Sequence, residues 1–400
     1  MDTIWVERLA LTNFRNHESV ALNLGEGPVV LYGPNGAGKT NLLEAVSLLS
    51  PGRGLRRTAF SDLPGHGHGP DWAVSARVHA EGDIADIGTG LQAQLAPTGS
   101  SAGSFSQSSR PERSGRAERS GRIVRINGTQ KSGSGSLGFV HMLWLTPASD
   151  GLFVGPAADR RRFLDRFTSF FDSGHGPRAG QFDRAMRQRN RLLDDGVRDA
   201  ARFDGLEMIM AETGVAMAAA RGEVVTALSA EMMGRRQRDP NSLFPWAGLK
   251  LEGTLEEALA TKPAVDAEDE YRENLARNRE RDRGYGRTLD GPHRTDLLVS
   301  HGPKAMPAKL CSTGEQKALL VGLVLAHAEH LALRRGGAAP IMLLDEIAAH
   351  LDVDRRNALY QDLVRLRTQA WLTGTDRMAF EGLESEATFH FVENGIITQV

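Results

Sequence analysis

The sequence is poor in cysteine and in long apolar runs, and both shortages narrow what the protein can be. Its 400 residues include one cysteine, Cys311, which excludes an internal disulfide and suits a reducing compartment. The longest strongly apolar run, 318–326, is far shorter than the ~20 residues that a membrane-spanning helix needs. The first residues lack the basic start and apolar segment of a secretory signal. We therefore expect a cytoplasmic protein with no membrane partner.

Lysine is also scarce, and the chain carries little net charge. Only 7 of its 48 basic residues are lysine, and the formal net charge is −2. Arginine is well suited to bidentate phosphate contacts, although a high-GC genome would produce the same bias. A chain that is no polycation as a whole must bind nucleic acid through local basic patches.

Glycine, by contrast, is abundant, and the most informative stretch is a glycine-rich loop at 33–40. It lies between the strand-like run 29–32 and the helix-like run 41–46, which is the P-loop arrangement for holding phosphates at a helix N-terminus. We expect Lys39 to reach the β- and γ-phosphates of ATP and the Thr40 hydroxyl to bind Mg²⁺. The alternative is a chance loop in a chain with 44 glycines, which the flanking strand and helix disfavour. The predicted ATP-binding residues of the loop are Gly33, Pro34, Asn35, Gly36, Ala37, Gly38, Lys39, Thr40 and Asn41.

Two carboxylates end an apolar strand in the last part of the chain. Residues 340–344 form the strand, and Asp345 and Glu346 follow directly. Buried strands rarely end in adjacent acids unless a cation lies there, and the P-loop makes Mg²⁺ the obvious candidate. We expect Asp345 to bind the metal ion. Glu346 and Lys39 are the predicted catalytic residues, Glu346 because it can orient and deprotonate the attacking water.

The chain divides into three consecutive parts. Residues 1–155 contain short strands and the P-loop, residues 156–285 have mainly helical spacing, and residues 286–400 return to short strands and tight turns. Residues 96–121 are rich in Ser, Gly, Pro, Arg and Gln, which predicts a disordered insertion or hairpin tip. Arginines recur every three residues between 110 and 125, which fits either a flexible phosphate-binding arm or a solvated linker.

Two further groups of arginines are candidates for phosphate contacts. One is the loop 51–57, close downstream of the P-loop, for which a solvated turn is the alternative. The other lies in the helical part and is a candidate DNA-binding face, although exposed helices are commonly charged. Its members are Arg184, Arg187, Arg189 and Arg191.

The motifs follow the order found in ABC-type ATPase heads, and the sequence resembles that class. After the P-loop come a serine-glycine turn that opens a helix at Ser312, the Asp345–Glu346 pair, and Asp352 after a short loop. The resemblance implies an α/β fold. An ABC-type P-loop ATPase head would be formed by the N- and C-terminal lobes, with the mainly α-helical second domain inserted between them.

The same resemblance assigns further site residues. Ser312, Thr313 and Gly314 match the ATP-binding signature motif, Asp352 matches the D-loop aspartate, and 373–376 match the switch loop. Ser312 with Glu315 three residues later is also the pattern of a helix capping box. Both explanations of Ser312 can hold together.

Within that class the chain resembles the RecF family of bacterial recombination mediators over nearly its full length. The absence of long heptad arms also suits this family better than its coiled-coil relatives. The resemblance implies a weak, DNA-stimulated ATPase that dimerises around two ATP molecules, each held between the P-loop of one subunit and the signature of the other. The matching segments are 11–17, 33–45, 155–165, 291–296 and 312–317.

The resemblance also implies partners. ATP binding would favour the dimer and the binding of duplex DNA, and hydrolysis would release both. Action is expected near single-strand/double-strand junctions at gaps, with RecR and RecO as partners in loading RecA. None of these partners follows from composition or motif spacing alone.

Two motif residues expected of an ABC-type head are missing, and three alternatives follow. Asp150 stands where a Q-loop glutamine is expected, and no histidine occupies the switch position near Thr373. The first alternative function is the nucleotide-binding subunit of a transporter, which is disfavoured because that class normally keeps both residues. A clamp with negligible turnover is disfavoured by Glu346. An ATP-gated nuclease is disfavoured because no second acidic cluster at metal-ligand spacing follows the ATPase motifs.

Overall fold

The computed structural model describes residues 3–65, 69–80, 82–91, 122–131, 134–348 and 351–400. The predicted insertion at 96–121 lies outside the described residues. Contacts divide the chain into two compact units. The first unit comprises Met1–Trp144, Pro340–Ala348 and Arg367–Val400, and the second comprises Leu145–Ala339 and Ala349–Leu366.

Strands and helices follow one another along the described chain, with short 3-10 turns between some of them. In chain order the strands are β1 (Trp5–Phe14), β2 (His17–Asn23), β3 (Val29–Tyr32), β4 (Trp72–Ala80), β5 (Asp83–Leu91), β6 (Ile123–Ile126), β7 (Thr129–Lys131), β8 (Met142–Leu145), β9 (Ala247–Glu252), β10 (Asp296–His301), β11 (Met306–Pro307), β12 (Ile341–Leu344), β13 (Ala370–Gly374), β14 (Thr388–Glu393) and β15 (Ile396–Gln399). The helices are α1 (Lys39–Ser47), α2 (Ala157–Phe171), α3 (His175–Asp194), α4 (Ala201–Arg238), α5 (Thr254–Leu259), α6 (Ala264–Arg277), α7 (Arg279–Gly284), α8 (Thr313–Arg334) and α9 (Val353–Arg365).

The first unit contains two six-stranded sheets. One has the order β2-β1-β4-β5-β6-β7, and each neighbouring pair in it is antiparallel. The other has the order β15-β14-β3-β13-β12-β8. In this second sheet β14, β3, β13 and β12 are parallel, and β3, β12 and β13 are almost wholly buried, which explains their continuous apolar sequences. Because parallel strands end at the same edge of a sheet, the segments after β3, β12 and β13 meet there.

The second unit is built around the 38-residue helix α4. Helices α3 and α6 pack against α4 through a buried apolar cluster that includes Phe182, Met210, Val215 and Tyr271. A three-stranded antiparallel sheet of order β11-β10-β9 completes the unit, and β9 is a strand within the predicted helical part. Residues 286–339 group with these helices, whereas the sequence assigned 286–400 to one lobe. The three-part division stays a prediction.

Arg189 on α3 is fully buried, so its predicted place on an exposed basic face is wrong. Its guanidinium donates to Glu207 Oε1 at 2.9 Å and to Asp282 Oδ2 at 2.8 Å, and both carboxylates are buried. It also donates to Thr288 Oγ1 and to the Leu275 carbonyl. The physical reason is the helical period: position 189 is seven residues from Phe182 and shares its inward face.

None of the helices within the described ranges is long and apolar enough to cross a membrane.

Replacing Arg189 should strongly destabilise the second unit. Arg189→Met removes the cation that the buried carboxylates of Glu207 and Asp282 share, and breaking such a buried pair costs about 3–5 kcal/mol. The contacts of Arg279 with Glu207 and of Arg281 with Asp282 remain, so we expect a loss near the lower end of that range. Arg187→Met, an exposed position on the same helix, should change stability by no more than about 0.5 kcal/mol. Urea unfolding of both variants, followed by circular dichroism, measures the difference. Equal midpoints for the two variants would contradict the buried network.

Candidate nucleotide-binding site

The loop between β3 and α1 has the conformation that its glycines permit. Gly33, Gly36 and Gly38 have φ values of 146°, 80° and 113°, which disfavour residues with a Cβ atom. A Cβ at Gly33 would lie 2.1 Å from the Val392 carbonyl oxygen. Helix α1 begins at Lys39 without a side-chain cap. The free N–H groups of its first turn can therefore bind an anion.

Lys39 lies inside the loop and is almost fully buried. Its Nζ donates to the carbonyls of Gly33 and Pro34 at 2.7 and 2.8 Å. Burial lowers the pKa of Lys39, and the nearby carboxylates of Glu346 and Asp345 oppose that shift. The ammonium group is thus held in the concave side of the loop, close to two acids.

Asp345 joins three segments of the first unit. Its Oδ1 accepts hydrogen bonds from the Thr40 hydroxyl at 2.9 Å and from the Thr373 hydroxyl at 2.8 Å. The carboxylate is buried, and these two donors help offset its desolvation. The structure therefore brings together the predicted metal-binding residues Thr40 and Asp345, 305 positions apart in sequence.

These oxygens fit a magnesium ion. A hydroxyl and a carboxylate are ligands that Mg²⁺ prefers, and neighbouring ligands of an octahedral ion with ~2.1 Å bonds lie about 3 Å apart. Thr40 Oγ1 and Asp345 Oδ1 are 2.9 Å apart across their hydrogen bond, so both oxygens can contact one ion. Among the described residues no group of three or more His, Cys, Asp or Glu side chains is placed to hold a metal ion.

Glu346 follows Asp345 in a backbone conformation that is uncommon for a residue other than glycine. Its φ is 53°, and its N–H donates to Thr373 Oγ1 at 2.8 Å. Strained backbone of this kind persists where surrounding contacts enforce it, and it is concentrated at functional sites. Thr373 thus positions both acids. From the sequence, this region was notable only for lacking the expected switch histidine, and the two contacts were not predicted.

The turn between β1 and β2 contacts the phosphate loop through Asn16 and His17, and these contacts were not predicted from the sequence. Asn16 Nδ2 donates to the Ala37 carbonyl at 3.0 Å. The buried His17 lies with Nε2 at 3.1 Å from the Gly38 carbonyl and with Nδ1 at 2.8 Å from the Gly395 carbonyl. Asn16 and His17 belong to the segment 11–17, which resembles the family, but that resemblance does not indicate which residues the turn contacts.

Glu44 on α1 is buried and organises the arginines next to the loop. It accepts two hydrogen bonds from Arg15, at 2.9 and 3.0 Å, and one from Arg56 at 3.3 Å. Arg56 also donates to Asn41 Oδ1 at 2.7 Å. The loop 51–57 is therefore attached to the phosphate loop through Arg56. A cavity of about 1360 Å³, lined in part by Asn16, Asn41 and Arg56, adjoins this network.

The predicted signature residues lie in the second unit, at the start of α8. Ser312 is the N-cap: its Oγ accepts the Glu315 N–H at 3.4 Å, and its own N–H donates to Glu315 Oε2 at 3.0 Å. The capping box is therefore present. Ser312, Thr313 and Gly314 are all exposed, so the serine remains available to a ligand. Helix α8 begins at Thr313, directly after its N-cap Ser312.

Asp352 and Asp150 also have defined contacts within the second unit. Asp352 is the N-cap of α9 and accepts the Arg355 N–H at 2.8 Å. Asp150, at the position expected for the Q-loop glutamine, accepts a hydrogen bond from Lys317 Nζ at 3.2 Å. Lys317 belongs to the signature segment, so Asp150 is connected to that segment by an ion pair.

The remaining arginines of the predicted DNA-binding face are exposed on α3. Arg184, Arg187 and Arg191 are spaced by three and four residues and therefore share one side of the helix. No ion pair is recorded for these three side chains among the described residues. Such a stripe of unneutralised guanidinium groups suits contacts to phosphate.

Comparisons with known proteins agree with the motifs. The family described as RecF/RecN/SMC N terminal domain matches residues 5–398. DNA replication and repair protein RecF of Mesorhizobium japonicum is 50% identical, with 98% of this chain and 97% of the relative covered. RecF of Rhizobium leguminosarum bv. trifolii is 49% identical over 98% of each chain. RecF of Brucella suis is 47% identical over 100% of this chain and 97% of its own.

Solved structures share the fold. The recombination mediator protein RecF-ATPrS of the RecFOR pathway superposes with a TM-score of 0.83 at 20% identity, over 100% of this chain and 99% of its own. The Smc head domain of Pyrococcus furiosus gives 0.52 at 16% identity, over 100% and 96%. The fold is that of an ABC-type ATPase head, as predicted. None of these relatives supports the transporter-subunit alternative. The full-length identity to RecF proteins shows that the chain belongs to the RecF family.

Proposed function

We propose that this chain is an ATP-dependent, DNA-binding recombination mediator. ATP binding joins two copies and promotes binding of DNA at gaps or single-strand/double-strand junctions, and hydrolysis releases the DNA. The ATPase head comprises the N- and C-terminal lobes, 1–155 and 286–400, with the helical part 156–285 inserted between them. The names of the relatives, DNA replication and repair protein RecF, support this role.

The observation that carries the proposal is the hydroxyl–carboxylate junction at Asp345. Phosphates at the N-terminus of α1 would lie beside Thr40, and Asp345 Oδ1 is 2.9 Å from the Thr40 hydroxyl. Mg²⁺, when bound, neutralises charge on the β- and γ-phosphate oxygens. Thr40 and Asp345 would hold it, while Lys39 would contact the same phosphates from inside the loop.

Hydrolysis requires a group that orients water, and Glu346 is placed for that task. Its backbone is fixed by Thr373, and its carboxylate is close enough to Lys39 to oppose the lowering of that residue's pKa by burial. A carboxylate beside the phosphate site can accept a proton from the attacking water. We propose a slow, DNA-stimulated ATPase with Glu346 as its base.

The exposed start of α8 supports an ATP-dependent dimer. The N–H groups of its first turn and the Ser312 hydroxyl, whose oxygen accepts the Glu315 N–H, can bind an anion. We propose that this end receives the γ-phosphate of the nucleotide held by the other copy, with Thr313, Gly314 and Asp352 nearby. Loss of the γ-phosphate would remove the bridge between subunits.

DNA and protein partners complete the proposal. Arg184, Arg187 and Arg191 would contact backbone phosphates, which makes binding dependent on salt and independent of sequence. One solved structure that shares the fold of this chain is described as a recombination mediator protein of the RecFOR pathway. RecR and RecO are accordingly the proposed partners, with loading of RecA as the outcome.

Lys39→Ala should weaken ATP binding by at least about a hundredfold, because the variant loses a charge-assisted contact to the phosphates. Isothermal titration with Mg-ATP measures the affinity. Lys131→Ala, at an exposed lysine of the same unit, is the control and should bind as the unaltered chain does. Equal affinity in the two variants would remove the nucleotide-site assignment.

Glu346→Gln should slow hydrolysis by about 10²–10⁴-fold and trap an ATP-bound dimer, because the amide cannot accept the proton. Phosphate release and sedimentation velocity with Mg-ATP measure the two effects. Glu393→Gln, an exposed glutamate in the first unit, should behave as the unaltered chain. If Glu346→Gln stays monomeric with ATP, the base assignment or the dimer is wrong.

Ser312→Arg should retain ATP binding and lose ATP-driven dimerisation, because the long side chain fills the space intended for the partner's nucleotide. Sedimentation with Mg-ATP measures dimerisation, and titration measures affinity. Ser385→Arg, at another exposed serine, is the matched control. If Ser312→Arg still dimerises normally with Mg-ATP, the assignment of Ser312 to the signature motif is wrong.

A further inference from the structure

A lysine from outside the signature segment contacts the first turn of α8. Lys304 Nζ donates to Glu315 Oε1, while Glu315 Oε2 accepts the Ser312 N–H at 3.0 Å. Ser312 and Lys304 therefore share one carboxylate, each through a different oxygen. The lysine side chain is 49% exposed and the glutamate side chain 24%, so the pair lies at the surface beside Ser312.

The turn that carries Lys304 is well defined. Lys304 ends a 3-10 turn after β10, and its N–H donates to His301 Nδ1 at 3.3 Å. A Cβ at Gly302 would lie 2.2 Å from the ring of Trp246, so the indole packs directly on this turn. Ala305 then adopts a φ of 49° and the chain returns as β11 beside β10. These contacts direct the lysine toward Glu315.

Glu315 has two opposing effects at this position. A carboxylate in the first turn stabilises the helix through the capping box and the helix dipole. The same charge opposes the approach of a triphosphate to the helix N-terminus. The hydrogen bond from Lys304, followed by that from the Ser312 N–H, lowers the pKa of Glu315 to about 2, so the group stays ionised near neutral pH.

We infer that Lys304 is a positioning residue of the signature: it neutralises Glu315 and holds it against Ser312, so that the start of α8 can accept the γ-phosphate bound by a second copy. The inference rests on the proposed ATP-dependent dimer. It adds a role for Lys304, which lies outside the signature motif at 312–317. It also explains how one helix end can have an acidic cap and still bind an anion.

Charge removal and its rescue test this role. In Lys304→Gln, each Glu315 carboxylate would lie near the triphosphate of the nucleotide held by the other copy, without a lysine to neutralise it. Each proposed dimer contains two such sites. We expect the dimer dissociation constant with Mg-ATP to rise by about tenfold at low salt and the effect to shrink as salt is raised. Glu315→Gln in the same chain should restore dimerisation, because glutamine keeps the capping box and removes the charge.

Sedimentation equilibrium with Mg-ATP measures the dimer, with Lys309→Gln as control. Lys309 is an exposed lysine of the neighbouring segment, and no ion pair is recorded for it within the described part of the chain. All variants should keep the ATP affinity of the unaltered chain, and loss of the Glu315 charge should lower the melting temperature only slightly. The role of Lys304 would be overturned, and the proposed dimer kept, if Lys304→Gln dimerised as the unaltered chain does. The same conclusion would follow if the double variant dimerised as weakly as Lys304→Gln. An unaltered chain that binds ATP and stays monomeric would overturn the proposed dimer together with it.

Discussion

The candidate site depends on one buried carboxylate, that of Asp345. Its Oδ1 accepts the hydroxyls of Thr40 and Thr373, so the helix after β3 and the ends of β12 and β13 are connected at one point. A buried charge is costly unless its hydrogen bonds are made, and a shift of β12 by one residue would turn the carboxylate to the other face of the sheet. The register of these parallel strands and the chemistry of the site are therefore specified together.

Buried acids recur elsewhere in both units, and arginine is their usual partner. Glu44 in the first unit is held by Arg15 and Arg56, and Arg189 in the second unit is shared by two carboxylates. The arginines of this sequence thus also have a structural role. This role is separate from phosphate contact and from the genome composition that would produce the same excess. A planar guanidinium with five donors can satisfy several acceptors at once, which a lysine cannot do in the same space.

Local patterns predicted the elements whose signals are contained within a few residues. The glycine-rich loop, the strand before Asp345 and the exposed Arg184, Arg187 and Arg191 are of this kind, and the P-loop spacing alone indicated Lys39 and Thr40. Contacts between distant segments could not be derived in this way: His17 lies against Gly395, 378 positions away. Strand β5 contains two glycines and has a weak strand signal in the sequence, and it is established by its pairing with β4 and β6. Arg189 was misplaced because its charge was weighed above its helical period.

The start of α8 shows why the proposed dimer contact would need a residue beyond its motifs. An N-terminal turn is stabilised by an acid and destabilised by a base, so the helix itself favours Glu315 and disfavours a lysine at that end. A nucleotide would favour the opposite charge. Both requirements are met only if the cation comes from another segment that does not belong to the helix. Lys304, on the turn after β10, is such a cation. Because its backbone lies outside α8, it can balance the charge without weakening the helix that presents Ser312.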